Sequence, residues 1–360
     1  MAVYLVGIAY IILAPHFCVQ ITKDVVKGRK WYIISVCALF TLMTGLRSFE
    51  VGADTINYRA SYEIVANTSW TELFTNFYTY IHSTGGMLQN NSLRDPAYNC
   101  FVKLTQIVCC DYRFYMFVMG LVVNIPLGKW VYDNSKKPYM TFLVYFILNY
   151  SFFGTTGYRQ TIAFTLATFV GYKFIKEMRL IPFLIVIAIA FFFHKSVLIV
   201  LLFYFLANKK ITPSYSICTL MGIGVIFVFR TQFSQFWKQI SGYGKMYIGQ
   251  NEDAGAWTFT MMLGLVLIVS LIFKDLILDY DEKATNYINA IILATVFVPL
   301  TFINPSAMRI VEYFSIYLTL LLPDMLSIVQ EKDRRLASAL VVFVLVLLYI
   351  KSGQTYYFMI

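Results

Sequence analysis

Apolar stretches of about helix length recur from one end of this 360-residue chain to the other. A transmembrane helix needs about 20 predominantly apolar residues, and short polar connections separate these stretches. They lie at about 2–21, 31–46, 114–131, 139–153, 158–175, 180–193, 196–207, 214–229, 257–273, 286–303, 309–326 and 336–350. The pattern predicts an all-α polytopic membrane protein with about twelve transmembrane helices, forming a single transmembrane domain over 1–360.

The composition excludes other classes of protein. Hydrophobic residues make up 59% of the chain and charged residues 13%, and the mean hydropathy is +0.66. A soluble domain is typically about 45–50% apolar and about 25% charged, so a soluble or disordered chain is excluded. The apolar residues come in blocks and do not alternate as in barrel strands. The net charge of +10 is not gathered in a basic tract, so we predict no nucleic-acid partner.

The distribution of lysine and arginine predicts the orientation in the membrane. Most of the 29 basic residues fall in short connections, which are expected on the cytoplasmic side. With the loop 22–30 inside, both termini are predicted outside. Two long loops, about 47–113 and about 230–256, then lie on the outer face, where we expect any chemistry to occur.

Two segments need special treatment for this topology to hold. Residues 97–113 are half apolar, and we predict that they form a surface or re-entrant helix on the outer face. The stretch 180–207 must break near His194 and Lys195 into two short crossings. Broken helices within a membrane are tolerated where their backbone is buried in protein or lines a wet cavity, so the break indicates a cavity.

Charged and titratable side chains mark the outer ends and the break of these predicted helices. They are Arg47, Arg159, His194, Lys195, Arg309 and Glu312. Charges within a membrane protein usually face an interior or a pathway. Arginines that converge at one level suit a phosphate or diphosphate, because guanidinium offers forked donors and keeps its charge. Single arginines fit interfacial anchors as well, but the set favours a binding site.

Three further residues have both a structural and a functional interpretation. Asp54 precedes a short predicted helix and fits a helix cap and a general base equally. Asp95, followed by a proline, is more typical of a cap for the surface helix. His194 fits a buried structural histidine, yet its place at the break favours proton transfer.

The sequence contains no pattern that holds a metal or a nucleotide. No His, Cys or Asp cluster has metal-ligand spacing, and no glycine-rich loop opens a helix. The six cysteines have no such spacing and are predicted to be small buried hydrophobic residues. We therefore predict neither a metal nor a cofactor.

Four short motifs in order resemble the EpsG family of bacterial polysaccharide-biosynthesis membrane proteins, which is grouped with Wzy-type polymerases. They are Gly45-Leu-Arg47 with Val51-Gly-Ala-Asp54-Thr-Ile-Asn-Tyr58, Asp95-Pro-Ala-Tyr98, Tyr158-Arg159-Gln160, and Phe193-His194-Lys-Ser196. The likeness covers the first 200 residues well. Beyond them it rests on helix number and Arg309. Ala53 and Ala97 depart from the residues usual in the family, and both are expected in turns.

The resemblance implies a GT-C-like glycosyltransferase that joins oligosaccharide repeat units carried on undecaprenyl diphosphate. Arg47, Arg159 and Arg309 are then candidate diphosphate ligands. His194 and Asp54 are candidates for the catalytic base or its orienter, with Glu312 as a reserve catalytic residue. The candidates for binding the sugar are Tyr58, Asp95, Tyr98, Gln160 and Lys195.

The resemblance also implies a place and partners for the protein. The active site is expected on the outer, periplasmic face of the bacterial cytoplasmic membrane, in contact with membrane lipid. The resemblance also implies a Wzz-type chain-length regulator as a partner. A polysaccharide ligase uses the same diphosphate chemistry and is not separated from a polymerase by these residues. A transporter of lipid-linked oligosaccharide is a further alternative, although its charges should gather nearer the middle of the membrane.

Overall fold

A computed structural model describes residues 2–52, 54–82, 95–232, 235, 257–302, 307–351 and 356–358, with side chains from 77 to 82 left aside. In these ranges the regular structure is helical. The helices are α1 Ala2–Thr22, α2 Val25–Leu46, α3 Thr55–Asn67, α4 Trp70–His82, α5 Pro96–Val108, α6 Tyr112–Asn134, α7 Pro138–Leu148, α8 Tyr150–Thr155, α9 Tyr158–Phe164, α10 Tyr172–Lys176, α11 Leu180–Phe191, α12 Val200–Leu206, α13 Pro213–Val228, α14 Trp257–Ile272, α15 Lys274–Tyr280, α16 Ala284–Phe297, α17 Met308–Ser315, α18 Leu318–Ser327 and α19 Glu331–Lys351.

Three helical segments in the described ranges are long and apolar enough to cross a membrane. They are Ala2–Thr22, Tyr112–Asn134 and Ala284–Phe302, the last of which continues α16 through a 3₁₀ turn. Two bent pairs, α14 with α15 and α17 with α18, raise the number to five if each pair is one span. The chain is thus an all-helical protein with three to five candidate spans. The twelve crossings predicted from the sequence and the GT-C-like arrangement stay predictions.

Each predicted apolar stretch nevertheless coincides with one helix or with consecutive short helices. The break near His194 is also present: α11 ends at Phe191, and a 3₁₀ turn over Lys195–Ile199 leads into α12. The surface helix is shorter than predicted. It ends at Val108, and residues 112 and 113 already belong to α6. At about 1.5 Å per residue, thirteen residues span roughly 20 Å, which is less than the hydrocarbon core.

The chain forms two compact units, and we describe each by itself. One contains 1–174, 180–198 and 339–360, and the other contains 175–179 and 199–338. In the first unit α2 packs along α6 and against α1. The two backbones approach closely at Gly120, where a Cβ atom would lie 3.0 Å from the Thr41 Cα. Small residues allow such close helix contacts in membrane proteins.

The C-terminal residues return to the end of α2 within the first unit. The Ser48 amide donates to the Tyr357 carbonyl at 2.7 Å, and the Tyr356 hydroxyl donates to the Met43 carbonyl at 2.6 Å. These bonds satisfy backbone groups that are left open where the helix ends. The tail therefore borders the segment that contains Arg47.

The second unit is built around α16. Its Asn286 and Asn289 side chains both donate to the Ala207 carbonyl, at 2.8 and 2.9 Å, and Asn289 also reaches the Lys209 carbonyl at 2.8 Å. These carbonyls end α12, and they have no partner further along the helix. The two asparagines therefore provide hydrogen-bond donors for backbone carbonyls at and just after the end of α12.

Lys103 explains why the half-apolar helix α5 carries a charge. Its ammonium donates to the Val65 and Ala66 carbonyls at 3.1 and 2.8 Å, and so it caps the C-terminal end of α3. We expect Lys103→Met to lower the free energy of unfolding by about 1–2 kcal/mol, since a hydrogen bond from a charged group contributes about that much. Thermal unfolding midpoints in detergent measure the change.

The matched control for this prediction is Lys129→Met on α6. Lys129 pairs with Asp133 on an exposed surface, and such a pair contributes about 0–1 kcal/mol. If both variants shifted the unfolding midpoint equally, the capping role of Lys103 would be wrong.

Candidate functional site

Arg47 lies at the end of α2 and is fully buried, with none of its surface exposed. Its backbone turns to an extended conformation there and ends the helix. The guanidinium donates to the Val51 carbonyl, to the Thr55 hydroxyl at 2.8 Å and to the Tyr158 hydroxyl. One arginine therefore joins the end of α2, the start of α3 and the start of α9.

The loop after Arg47 is held tightly against the end of α8. Gly52 adopts φ +95°, and a Cβ atom at this position would clash with the Thr155 carbonyl. This is a conformation and a space that glycine alone fits without strain. The Asp54 side chain makes no capping bond to α3 and accepts a hydrogen bond from the Thr156 hydroxyl at 2.9 Å. The helix begins where the sequence predicted it, but its cap is not the Asp54 carboxylate.

Asp95 pairs with Arg159, which is a correction to its predicted role as a cap. The Asp95 carboxylate lies 3.2 Å from the Arg159 guanidinium and makes no capping bond to α5. Its backbone is left-handed, with φ +69°, whereas a capping residue typically has extended backbone. The structure thus brings two predicted site residues from distant parts of the sequence into one ion pair.

Arg159 begins α9, directly after Gly157, which also has a left-handed backbone, and Tyr158. Its side chain is 21% exposed and that of Asp95 only 10%, so Arg159 is the accessible member of a largely buried pair. The Arg159 guanidinium lies 5.7 Å from the centre of the Tyr58 ring, and its amide donates to the Tyr58 hydroxyl at 3.5 Å. Three contacts therefore fix its position.

A cluster of six tyrosines supports this pair from within the protein, and we call it the tyrosine cluster. Its members are Tyr58, Tyr62, Tyr98, Tyr112, Tyr115 and Tyr158, all of them buried. Neighbouring rings lie 5.1 to 6.0 Å apart, and the Tyr98 and Tyr115 hydroxyls are 2.6 Å apart. Rings at these distances stabilise one another beyond their burial.

Burial sets the protonation of the tyrosines beside Arg159. It raises the pKa of Tyr58, and the Arg159 charge opposes this only in part. It raises the pKa of Tyr98 well above its usual value. Both hydroxyls are therefore neutral near pH 7. Both side chains are buried beside Arg159, and their contact with sugar stays a prediction.

His194 follows the break after α11 and is buried. The Ser196 amide donates to its Nδ1 at 3.3 Å, and the Ser196 hydroxyl lies 2.7 Å from the same atom. Because an amide can only donate, Nδ1 is an acceptor, and the proton of the neutral ring is on Nε2. Lys195, the next residue, is exposed.

The break is bound to the start of α5. The Ala97 amide donates to the Phe192 carbonyl at 3.2 Å, two residues from Asp95 on one side and from His194 on the other. Phe193 packs against the tyrosine cluster. His194, Asp95 and Arg159 therefore belong to one region of the first unit. Gln160 is only 1% exposed and lies inside the protein beside them.

Arg309 and Glu312 belong to the second unit, on α17. The Glu312 Oε2 atom is buried and has no hydrogen-bond partner within the described ranges. Their spacing along the helix is the one that the sequence suggested for a pair. Their part in a common site with Arg47 and Arg159 stays a prediction.

The cysteines differ from the expectation of burial. Cys109, Cys110 and Cys218 are exposed, and Cys18, Cys37 and Cys100 are half-buried. Over the described ranges no group of three His, Cys, Asp or Glu side chains could hold a metal ion. The candidate site therefore consists of a cationic arginine, a carboxylate partner and a neighbouring histidine.

Sequence reasoning missed Tyr112 and Tyr115 as parts of this region. They occupy one face of the first turns of α6, three residues apart, and that spacing was the available signal. Tyr158 was present in a motif but had no role assigned. In the structure it accepts the hydrogen bond of Arg47 and precedes Arg159.

These features define a helical membrane protein with an accessible arginine fixed by a carboxylate at a bundle end. A family model confirms the class: the chain belongs to the EpsG family, a family of Wzy-type polysaccharide polymerases, and the match covers residues 30–358. No curated protein and no solved structure matches the chain. The family match also covers α17 and α19, which lie beyond the first 200 residues that contain the four motifs.

Proposed function

We propose that this protein is a polysaccharide polymerase that joins undecaprenyl-diphosphate-linked oligosaccharide repeat units on the outer face of the bacterial cytoplasmic membrane. The observation that supports this most is Arg159, an accessible guanidinium held by Asp95 and Tyr58. Guanidinium suits diphosphate oxygens because of its forked donors. Membership in the EpsG family supports a polymerase over other users of diphosphates.

In the proposed reaction a hydroxyl of the incoming lipid-linked unit attacks the anomeric carbon of the growing chain. The new glycosidic bond forms as the bond from that carbon to the diphosphate oxygen breaks, and undecaprenyl diphosphate leaves with the bonding electrons. The hydroxyl proton passes to a base. Arg159 stabilises the charge on the leaving diphosphate, and preorganised donors in a dry site are effective in this role.

The contacts suggest different roles for the other candidates. Arg47 is fully buried, and both of its terminal guanidinium nitrogens donate to protein groups, so we assign it a positioning role. His194 would transfer a proton to or from the substrate, as the proposed general base or its orienter. Asp54 is the proposed base for the attacking hydroxyl. Tyr58 and Tyr98 position Arg159 and Asp95.

The remaining candidates complete the proposal. Arg309 would be a further diphosphate ligand, and Glu312 a reserve acid or base on the same helix. Lys195, exposed at the break, and Gln160 would contact sugar. Arginines would supply the charge that a metal supplies in many soluble transferases, so we propose a metal-independent, GT-C-like enzyme. A Wzz-type partner would regulate chain length.

Purified protein in proteoliposomes with the lipid-linked repeat unit tests the proposal directly. We expect a ladder of products that differ by one repeat unit and release of undecaprenyl diphosphate, because each transfer breaks one sugar–diphosphate bond. Mass spectrometry of the extracted glycolipids measures both. The ladder should persist with excess EDTA if the enzyme needs no metal.

The alternatives give other outcomes in this assay. A ligase would move sugar only when a second, different acceptor is added, and it would form no ladder. A transporter would change the leaflet of the lipid-linked unit without making a bond. Either result, with liposomes free of protein as the control, would contradict the polymerase.

A further inference from the structure

A cavity lies in the first unit, and neither Arg159 nor Asp95 lines it. It has a volume of about 540 Å³, which lies in the range of small-molecule sites. It opens between α3 and the junction of α5 with α6. The lining includes Phe49, Arg59, Tyr62, Glu63, Asn67, Cys110, Asp111, Tyr112 and Arg113. We call it the α3–α6 cleft.

The charges of the cleft are balanced, which favours a neutral ligand. Arg59 lies 3.5 Å from Glu63 and 4.5 Å from the centre of the Phe49 ring, and both charged side chains are largely exposed. The Asp111 carboxylate caps α6, because it accepts hydrogen bonds from the Arg113 and Phe114 amides at 2.6 and 3.2 Å. The lining thus contains both donors and acceptors, which suits hydroxyl groups, since each hydroxyl both donates and accepts.

Aromatic rings form one wall of the cleft. The centre of the Tyr112 ring lies 5.4 Å from that of Phe49 and 5.3 Å from that of Tyr62. Aromatic rings offer an apolar surface with polar edges, which suits the mixed surface of a sugar ring. The aromatic wall therefore distinguishes the cleft from a site that binds only an anion.

The Tyr62 hydroxyl is a buried polar group in this wall and lies beside the Cys110 thiol. Burial and the neighbouring Cys110 thiol raise its pKa to about 12, so it stays a neutral donor at physiological pH. A tyrosine hydroxyl at the edge of a cavity can both donate and accept a hydrogen bond, and so it can bind a hydroxyl group of a ligand.

The tyrosine cluster connects the cleft with the candidate active site. Tyr62 contacts Tyr115 at 5.5 Å between ring centres, Tyr115 contacts Tyr158 at 6.0 Å, and Tyr158 contacts Tyr58 at 5.1 Å. Tyr58 lies against Arg159. A continuous series of ring contacts therefore links the lining of the cleft to the tyrosine that contacts Arg159.

We propose that the α3–α6 cleft binds the sugar chain of a lipid-linked unit, as a neutral, hydroxyl-rich oligosaccharide, while its diphosphate is held at Arg159. This inference rests on the proposed function, because it assigns the cleft to the same substrate. The cleft would select for sugar composition, whereas Arg159 would bind a group common to all such substrates.

Cys110 provides a native reporter for binding in the cleft. Cys109 and Cys110 are adjacent and both exposed, but only Cys110 lines the cleft. In Cys109→Ser protein, we expect the repeat-unit oligosaccharide, released by mild acid from the lipid-linked fraction of the source cells, to slow maleimide labelling of Cys110 at least fivefold. In Cys110→Ser protein, labelling of Cys109 is the matched control and should change by less than twofold.

Two further arms make the test decisive. Inorganic diphosphate should not protect Cys110, and protection by diphosphate alone would identify an anion site and overturn the proposal. Arg113→Ala should raise the oligosaccharide concentration needed for half-protection about tenfold. Unchanged Cys110 labelling at saturating oligosaccharide, with protein that polymerises in proteoliposomes, would also overturn the cleft assignment.

Arg159→Ala separates this inference from the proposed function. Its cleft should still be protected by oligosaccharide, because neither Arg159 nor Asp95 lines the cleft. If Arg159→Ala protein polymerised normally, the proposed function would fail whatever the labelling result. If Arg159→Ala protein did not polymerise, and oligosaccharide failed to protect Cys110 in every variant, only the assignment of the cleft to sugar binding would be wrong.

Discussion

Cells that carry Arg159→Ala are expected to display single repeat units in place of long polysaccharide chains, at an unchanged level of the protein. Arg159 is the accessible member of the ion pair with Asp95, and it would meet the charge that develops on the leaving diphosphate. Loss of one such preorganised donor lowers a rate about 10²–10³-fold. A forked guanidinium that contributes two donors should be at the upper end, about 10³-fold.

Arg159→Lys should not restore the chains. A lysine ammonium is a single charged point, and it cannot hold Asp95 and two diphosphate oxygens in the geometry that guanidinium allows. Electrophoresis of surface polysaccharide gives the length distribution, and an immunoblot gives the protein level. Rescue by lysine would show that charge alone is enough, without a bidentate contact.

Arg179→Ala is the matched control for these variants. Arg179 also pairs with a carboxylate, that of Glu177 at 3.6 Å, but on an exposed surface. Its removal should leave chain length unchanged. Long chains of normal distribution in Arg159→Ala cells would make Arg159 an interfacial anchor and remove the main support for the polymerase.

Local sequence patterns predicted the helices of this protein because apolar length is a local property. Each apolar stretch lies on a helix, and the break at His194 is where the polar pair interrupts the pattern. The family resemblance likewise gave Arg47, Asp95 and Arg159 as site residues. Helix boundaries were less accurate at the junction of α5 and α6, where three residues separate two helices.

The contacts between distant segments could not be predicted from such patterns. Asp95 looked like a cap because aspartate before proline commonly begins a helix. Its left-handed backbone, and its pairing with a residue 64 positions away in the sequence, arise only in the folded chain. The tyrosine cluster draws on α3, α5, α6 and α9, and no single segment of the sequence contains enough of it to recognise.

Arg47→Ala is expected to cause the largest loss of stability. The variant leaves the Val51 carbonyl, the Thr55 hydroxyl and the Tyr158 hydroxyl without their buried donor, and it opens a cavity at the same place. Unsatisfied buried groups cost about 1–3 kcal/mol each, although Thr55 keeps a bond to the Val51 carbonyl at 2.7 Å. We expect a loss of about 3–5 kcal/mol of unfolding free energy, measured as the thermal unfolding midpoint in detergent.

Tyr158→Phe separates this structural role from substrate binding. It removes one hydrogen-bond partner of Arg47 and should lower the free energy of unfolding by about 1–2 kcal/mol. The loss in Arg47→Lys should lie between the losses in Tyr158→Phe and Arg47→Ala. If Arg47→Ala instead unfolded at the wild-type temperature while polymerisation was lost, its guanidinium would be needed by the substrate and not by the fold. That outcome would restore Arg47 as a diphosphate ligand, which requires its bonds to Thr55 and Tyr158 to open when the lipid-linked unit binds. The unfolding midpoint and the chain length, measured on the same variants, therefore decide between a positioning residue and a ligand.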